Sequence, residues 1–370
     1  MTAMLAGCGD DGSFDGSVIV IGAGPAGMTA AYRLRRAGVD VRVLEAGPTH
    51  GGRIRHDLTF ADFPISLGGE WVHVDGSVLA EIVDDASVEV STELVPYTSS
   101  DEVAYVSGAD VFIEPIVPDL FDIDTKFRGS SWLDFFNTYV VPDIADAIRY
   151  DTQVVAIDHS GDRATVTDST GTTHTADHVI VAVPLRILQR RDITFSPPLE
   201  ADRVETIDDA VVWSGLKAFF VFDERFYPAA IGFDDSETPA GQRLLYDAAH
   251  GQDTDLNVLG LFSVGAQAEA YQAMSDEELV RDVLGELDAA SDGAASRSYV
   301  RHLVQNWNEE PFAGAAYLED EAPPRISRRL AEPLGDIVSF AGDAYTSFDD
   351  WSSVHTAARS AIEAVDRLLG

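Results

Sequence analysis

The stretch from Val18 to Arg53 constrains this chain most, because it has the pattern of a strand–helix–strand nucleotide-binding unit. Four apolar residues at 18–21 predict a buried strand, and Gly22, Gly24 and Gly27 follow it. Gly22 permits a tight turn, Gly24 lets the backbone approach a pyrophosphate, and Gly27 lets the helix pack closely on the strand. The free N–H groups at the start of that helix favour bound phosphate. The pattern therefore predicts a dinucleotide-binding site.

A second predicted strand over residues 39–44 completes the unit, and Glu45 ends it, 23 residues after Gly22. A carboxylate at this position can accept hydrogen bonds from the ribose hydroxyls of a dinucleotide. The glycines are flanked by a strand, a helix and a second strand that all fit a nucleotide-binding unit. An ordinary strand–turn–helix without a ligand is therefore the weaker interpretation. The motif alone does not distinguish FAD from NAD.

Length and charge exclude several classes of protein. A chain of 370 residues is long enough for two lobes with their own cores. No run of 18 apolar residues occurs, so no transmembrane segment is predicted. The net charge of −38 argues against nucleic acid or an anionic membrane as a partner. Only two of the 25 basic residues are lysines, Lys126 and Lys217.

The acidity has two explanations. Acidic residues are concentrated in predicted loops, at 119–124, 234–237 and 319–321. A hydrated carboxylate surface stays soluble at high salt, so one hypothesis is adaptation to a salty environment. The alternative is an acidic protein from a GC-rich genome.

Cys8 is the single cysteine, so no intramolecular disulfide is possible. Residues 5–8 resemble a bacterial lipobox with a polar tether behind it, and we expect 1–16 to be a disordered tail or signal remnant. A lipid anchor at Cys8 would place the protein at the cell surface or in the periplasm. A chance match would leave it in the cytoplasm. The sequence does not indicate an oligomeric state. It has no Cys/His cluster, so it predicts no metal site.

Further elements are predicted along the chain. Residues 152–183 alternate like the strands of β-hairpins, and 215–222 form another strand. An amphipathic helix is predicted over 276–289, starting near Ser275. A late buried strand over 337–343 ends in Gly-Asp, and a final helix begins near Ser352 or Ser353.

Lys217 is unusual in its local sequence. The run 215–222 is apolar on both faces of a strand, so Lys217 shares a face with Phe219 and Val221. A charged ammonium buried there is costly without a partner. The alternative is a lysine whose end reaches solvent.

Several motifs in order resemble the flavin-containing amine oxidases, the family of monoamine and polyamine oxidases. After the nucleotide-binding unit, these motifs are Gly51-Gly52-Arg53, Gly68 to His73, Val183-Pro184-Leu185, Asn306 to Tyr317, Phe340 to Asp343 and Ser353 to Ala357. The resemblance is weakest between residues 75 and 150.

The resemblance implies an α/β fold. A Rossmann-like FAD-binding domain would be discontinuous, over 17–77, 139–208 and 312–370. A shortened α+β substrate domain, over 78–138 and 209–311, would be interleaved with it. The short stretch from Trp71 to Val154 leaves the shape of the substrate pocket open.

The resemblance also implies which residues bind FAD. These are Gly22, Gly24, Gly27, Glu45, Gly52, Arg53, Gly69, Glu70, Trp71, Val154, Gly342, Asp343, Ser353 and Val354. Ala316 stands where monoamine oxidases carry the cysteine that bonds the flavin, so the cofactor would be non-covalent.

The candidate catalytic residues are Lys217, Tyr317, Trp307 and His73. The resemblance places Lys217 beside flavin N5 through a water molecule, for proton handling or O2 activation. Tyr317 would supply one of two aromatic rings that flank the amine. The second position corresponds to Ser353, with Trp351 as a substitute.

The implied function is an FAD-dependent amine oxidase. A hydride from the carbon next to nitrogen would pass to flavin N5, the imine would be hydrolysed, and O2 would become H2O2. The partners would be a small-molecule amine and O2. One alternative is an L-amino-acid oxidase, for which Arg128 could bind the carboxylate, or a quinone-linked dehydrogenase or desaturase. Another is a non-catalytic FAD-binding redox module.

The salt hypothesis predicts a melting temperature that rises as KCl increases from about 0.1 M to about 2 M, because salt screens repulsion between surface carboxylates. Thermal denaturation over this series measures the effect. A melting temperature or an activity that fails to rise with KCl would contradict adaptation to salt.

Overall fold

The computed structural model describes residues 14–107, 110–116, 124–233, 241–320, 322–346 and 352–370. Cys8, Trp351 and most of the predicted tail and acidic loops lie outside these ranges. The strands are β1 Ser17–Ile21, β2 Asp40–Leu44, β3 His56–Asp57, β4 Ile65–Ser66, β5 Leu94–Pro96, β6 Glu102–Ser107, β7 Asp110–Pro115, β8 Thr125–Phe127, β9 Ile148–Arg149, β10 Val154–Asp158, β11 Ala164–Asp168, β12 Thr173–Ala176, β13 His178–Val181, β14 Thr194–Ser196, β15 Gly215–Phe222, β16 Ala230–Phe233, β17 Gly241–Asp247, β18 Asn257–Val264, β19 Tyr299–Asn306 and β20 Val338–Phe340. The helices are α1 Pro25–Arg36, α2 Val78–Val83, α3 Trp132–Tyr139, α4 Val141–Ile144, α5 Leu185–Gln189, α6 Ala201–Asp209, α7 Gly265–Gln272, α8 Asp276–Ser291, α9 Ala294–Ser298, α10 Pro324–Ala331 and α11 Val354–Leu369.

A parallel sheet with strand order β20-β13-β1-β2-β9 holds the predicted nucleotide-binding unit. Val18 and Val20 of β1 pack into one hydrophobic core together with α1 and α11, whereas Ile19 and Ile21 pack into another. Both faces of this sheet are therefore covered, as parallel sheets require. The predicted strand–helix–strand unit is confirmed.

A seven-stranded mixed sheet, in the order β19-β15-β18-β17-β16-β6-β7, forms the second unit. Its strand β15 has the predicted limits and is buried along its whole length. Phe219 and Val221 lie on the same face as Lys217, in a core separate from the one that contains Leu216 and Phe220. The alternation of side chains along β15 thus places Lys217 inside the protein.

Two helices begin where the sequence predicted, and a serine caps each of them. Ser275 caps α8 through a capping box with Glu278, and Ser353 accepts a hydrogen bond from the backbone N–H of Thr356 at the start of α11. In each case the hydroxyl satisfies an N–H that the helix itself leaves unpaired.

One strand assignment was wrong. The segment 152–183 was expected to form hairpins, but only β10, β11 and β12 pair in this way, with β14 at the edge of their sheet. β13 lies instead between β1 and β20 in the parallel sheet. All four of its residues are buried, and burial on both faces is typical of a central parallel strand.

The segment 78–138 is divided between the two units. Its helices α2 and α3 pack in the hydrophobic core that contains β1 and α1, whereas β6 and β7 join the seven-stranded sheet. The domain limits inferred from the resemblance remain a prediction. Within the described ranges, no helix combines the length and apolar character needed to cross a bilayer.

Gly27 is a position where the fold depends directly on a missing side chain. A Cβ atom there would lie 1.9 Å from the carbonyl oxygen of Gly22. We expect Gly27→Ala to lower the free energy of unfolding by about 3 kcal/mol, because backbone atoms on both sides must move. Urea denaturation measures the change.

Gly24→Ala is the matched control. A Cβ atom at Gly24 meets no atom within 4 Å, and the residue has φ −76°, which alanine adopts readily. Equal stability losses in the two variants would contradict the proposed close approach at Gly27.

Candidate active site

A cavity of about 570 Å³ lies at the carboxyl edge of the parallel sheet. Gly22 follows β1, Glu45 follows β2, Ala182 follows β13 and Asp343 follows β20, and all four line this cavity. Ligands of open α/β sheets bind at this edge, and the volume is within the range of small-molecule and cofactor sites.

The glycine-rich turn forms one wall. Gly22 has φ +99°, a conformation that suits glycine, and its N–H donates to the carbonyl oxygen of Leu44 at 2.8 Å. A Cβ atom at Gly24 would project into open space. Because the first turn of α1 carries no acidic side chain, its positive end is available for a phosphate.

Glu45 connects this turn to the end of β2. One of its carboxylate oxygens accepts the N–H of Ala23 at 2.6 Å, and the other accepts the N–H of Gly47 at 2.8 Å. Burial raises the pKa of Glu45 despite these hydrogen bonds. Each oxygen has a second lone pair, so the carboxylate can still accept a ribose hydroxyl.

The later motifs meet around Arg53. Its guanidinium donates to the carboxylate of Asp343 and to the carbonyl oxygen of Ala316. A Cβ atom at Gly68 would lie 1.9 Å from the carbonyl oxygen of Arg53, and one at Gly69 would lie 2.7 Å from Val354. Side chains at 68 and 69 would thus separate these segments from each other.

The residues present fit a dinucleotide of the size of FAD. The turn at Gly24 leaves space for a pyrophosphate, and Glu45 provides a ribose acceptor. Asp343 and the start of α11 at Ser353 and Val354 lie at the same cavity. The whole predicted FAD-binding set lines the cavity except Gly27, which packs against the backbone of Gly22.

Lys217 enters the cavity wall from β15 and is only 4% exposed. Its ammonium donates to Oε2 of Glu70 at 2.7 Å and to the carbonyl oxygen of Ser66 at 3.3 Å. It also lies 5.1 Å from the ring centroid of Trp71, within the range of a cation–π contact. Lys217 therefore does not reach solvent, and Glu70 is the partner that its burial requires.

Glu70 binds the other lysine of the chain as well. Lys126 donates to Oε1 of Glu70 at 3.0 Å, and the hydroxyl of Tyr246 donates to Oε2 at 2.5 Å. Burial alone would raise the pKa of Glu70, but the two ammonium groups lower it to about 2. Burial lowers the pKa of Lys217, and Lys126 acts in the same direction, while Glu70 opposes both.

The other candidate catalytic residues line the same cavity. Trp307 donates its ring N–H to the carbonyl oxygen of Leu67 at 2.8 Å. His73 lies with Nδ1 2.9 Å from a carboxylate oxygen of Asp124. Burial raises the pKa of Tyr317, so its hydroxyl stays neutral.

The structure therefore brings Lys217, Tyr317, Trp307 and His73 together with the cofactor-binding set. Arg128, considered for an L-amino-acid carboxylate, is absent from the cavity lining and pairs with Glu93 at the surface. Ser353 caps α11, and the suggested aromatic substitute, Trp351, lies outside the described residues.

Sequence reasoning missed Lys126, Tyr246 and Asp124. One signal could have identified Lys126, because it is one of only two lysines in the chain. No local pattern marks Tyr246, which lies on β17, far from Glu70 in sequence.

Comparison with known proteins gives a family match over most of the chain. The sequence profile described as flavin containing amine oxidoreductase matches residues 25–133 and 141–369. Polyamine oxidase 4 of Oryza sativa subsp. japonica is 27% identical over 435 residues, which cover 95% of this chain and 88% of the relative.

Two further comparisons define the extent of the similarity. Lysine-specific histone demethylase 1B of Mus musculus is 24% identical over 411 residues, and the match covers 89% of this chain but 50% of the relative's length. A solved structure of wild-type putrescine oxidase bound to putrescine superposes with a TM-score of 0.78 at 17% identity, covering 96% of this chain and 99% of the other. At that identity, the superposition shows the fold.

Glu70→Gln tests the buried ion cluster. We expect it to reduce the free energy of unfolding at pH 7 by about 3–5 kcal/mol, because two buried ammonium groups lose their counter-charge. Glu93→Gln, which removes an exposed pair whose carboxylate side chain is 63% exposed, should cost less than about 1 kcal/mol.

The pH dependence of this difference has a defined sign. The pKa of Glu70 is about 2 in the folded protein against an ordinary 4.5, so its contribution is present above pH 4.5 and is lost as pH falls toward 2. The difference between wild type and Glu70→Gln should shrink by about 3 kcal/mol over that interval. Urea denaturation at several pH values measures it, and a constant difference would contradict an ionised Glu70.

Proposed function

This chain belongs to the flavin containing amine oxidoreductases, and from that premise we propose that it oxidises the carbon–nitrogen bond of a small amine to an imine. The observation that carries the proposal is that one cavity contains both the dinucleotide cradle and the buried Lys217. FAD is the cofactor of this family, and the cradle has the residues to hold it without a covalent bond.

When bound, FAD would supply the two-electron acceptor for the hydride that leaves the carbon next to nitrogen, and O2 would then take up the two electrons to give hydrogen peroxide. Two electrons and two protons leave the amine, and the same number appear in the peroxide. The released imine is hydrolysed to an aldehyde or ketone and an amine.

The protein has three tasks in this reaction. The rings of Trp71, Phe262 and Tyr317 line the cavity, and an apolar wall favours the neutral amine, which holds the lone pair that assists hydride loss. The cavity walls would orient the amine toward the cofactor. Lys217, whose pKa burial lowers, can take up or release a proton at Nζ.

We propose that the amine carries a second cationic group, as diamines and polyamines do. Carboxylates of Asp124 and Asp320 line the cavity, the first beside His73 and the second accepting from Gln242 at 2.9 Å. A protonated distal amine would be attracted to either carboxylate. Two similar proteins, a polyamine oxidase and a putrescine oxidase, are named for the same class of substrate.

The L-amino-acid alternative has less support. Arg53 and Arg55 line the cavity, but Arg53 pairs with Asp343 and Arg55 pairs with Glu310 at 2.5 Å. A substrate carboxylate would have to displace one of these partners.

Anaerobic reduction of the bound flavin tests the proposal. We expect a diamine to bleach the absorbance near about 450 nm, faster than a monoamine of equal length does, and air to restore the colour with release of peroxide. Lys217→Met should slow one of the two half-reactions by about 100-fold, because a proton-handling group is lost. Arg128→Met, which removes an exposed cation away from the cavity, serves as the control.

Other outcomes would contradict the proposal in different ways. Bleaching by L-amino acids alone would favour the amino-acid oxidase. Bleaching by an amine with restoration by a quinone but not by air would indicate a dehydrogenase. A yellow protein that nothing in the panel bleaches would favour a non-catalytic FAD-binding module, and a colourless protein that cannot be reconstituted would exclude the flavin site.

A further inference from the structure

Lys126 is buried beside the candidate active site and has no part in the chemistry described so far. It is 2% exposed and does not line the large cavity. It lines instead a second cavity of about 10 Å³, on the other side of Glu70, with space for about one water molecule. Lys126 therefore does not line the large cavity itself, and it acts on Lys217 through their shared partner Glu70 and through its own charge.

The two lysines are held in different ways. Lys126 donates to Glu70 at 3.0 Å and to the carbonyl oxygens of Asp247 at 3.2 Å and Ala248 at 2.9 Å. These three acceptors match the three donors of an ammonium group. Lys217 has two acceptors, Glu70 and a longer contact to Ser66, and it is the lysine that lines the large cavity.

The charges of the cluster do not balance. Two ammonium groups share one carboxylate, and the pKa of Glu70 at about 2 keeps that carboxylate ionised. The cluster thus carries a net positive charge in a buried site, which favours loss of one proton. Lys217 has fewer hydrogen-bond acceptors than Lys126, while the ring centroids of Trp71, Phe219 and Tyr246 lie 5.1–5.8 Å from its ammonium. Burial and the charge of Lys126 lower the pKa of Lys217, so Lys217 is the group from which we expect a proton to leave.

Other titratable groups around Lys217 do not change this balance. The charged groups that act on Lys217 are Glu70 and Lys126. Beside them, Tyr246 donates to Glu70, Tyr97 accepts from Trp71, and the backbone of Asp247 accepts from Lys126. Burial raises the pKa of both tyrosines, so they stay neutral. The carboxylate of Asp247 pairs with Arg225 at 2.8 Å, which engages it away from the lysines.

We propose that Lys126 is a positioning residue that, by binding one oxygen of Glu70, leaves Lys217 with only part of a counter-charge and makes Lys217 the group that exchanges a proton during turnover. The role in turnover rests on the proposed function, whereas the effect of Lys126 on Lys217 is a property of the protein alone. Both lysines bind the same carboxylate, so each responds to the other through Glu70 as well as through direct repulsion.

The presence of only two lysines permits a direct test. Protein labelled on the lysine side chains gives two Nζ signals in the wild type and one in each single variant, so the NMR titration of Lys217 can be followed without overlap. We expect its midpoint to rise by about one pH unit in Lys126→Met, because a nearby like charge is removed and Glu70 then serves Lys217 alone. Lys126→Arg keeps the charge and should keep the midpoint near that of the wild type.

If Lys126 has a purely structural role, Lys126→Met will have a lower melting temperature, but the titration midpoint of Lys217 will not change. That result would overturn the proposal. If Lys126→Met does not fold, the wild type still decides: the signal of Lys126 must shift at the midpoint of Lys217, since coupled groups titrate as a pair. Independent titration of the two signals would also overturn it.

The titration separates this inference from the proposed function, because no amine is turned over. A protein that no amine bleaches can still show the shifted midpoint. A protein that oxidises amines but shows no shift would retain the proposed function and lose the role of Lys126.

Discussion

A single carboxylate between two buried ammonium groups connects distant parts of this protein. Glu70 comes from the turn after β4, Lys126 from β8, Lys217 from β15 and Tyr246 from β17. Each of these polar groups would be costly in the interior without the others. The position of Lys217 in the cavity wall therefore depends on residues that lie far apart in sequence. The charge of Lys217 is compensated only when the seven-stranded sheet has packed against the turn that contains Glu70.

The second constraint is the close approach of backbone segments around the cofactor cradle. Gly27 contacts the turn at Gly22, Gly68 contacts Arg53, and Gly69 contacts Val354. Glycine at these positions lets three separate stretches of chain meet with no side chain between them. The ion pair between Arg53 and Asp343 then joins an early motif to a late one, so one site is built from both ends of the sequence.

The sequence predicted features that depend on short-range patterns. Strand–helix–strand spacing identified the nucleotide-binding unit, and the apolar run around Lys217 predicted a buried lysine in need of a partner. It did not predict which carboxylate would be that partner, because Glu70 lies 147 positions away and a contact between a turn and a distant strand leaves no local pattern in the sequence. The sheet membership of β13 was misassigned for a related reason, since a short apolar strand carries no mark of the sheet that it joins.

Resemblance to a family supplied most of the remaining candidate residues, which line one cavity in the structure. It could not supply Lys126 or Tyr246, which are marked neither by a motif nor by their spacing. Both became apparent only from the contacts of Glu70. Residues that act through another residue are the part of an active site that sequence motifs describe least well.

The burial of both lysines has a chemical consequence for the outside of the protein. Lys126 and Lys217 are the only lysines in the sequence, and they are 2% and 4% exposed. No lysine amine is therefore available on the surface, and arginine provides the basic charge of that surface. Aldehydes condense readily with primary amines to form Schiff bases and cross-links. An enzyme that releases aldehydes in its own vicinity would, with such a surface, offer its product no lysine side chain to modify.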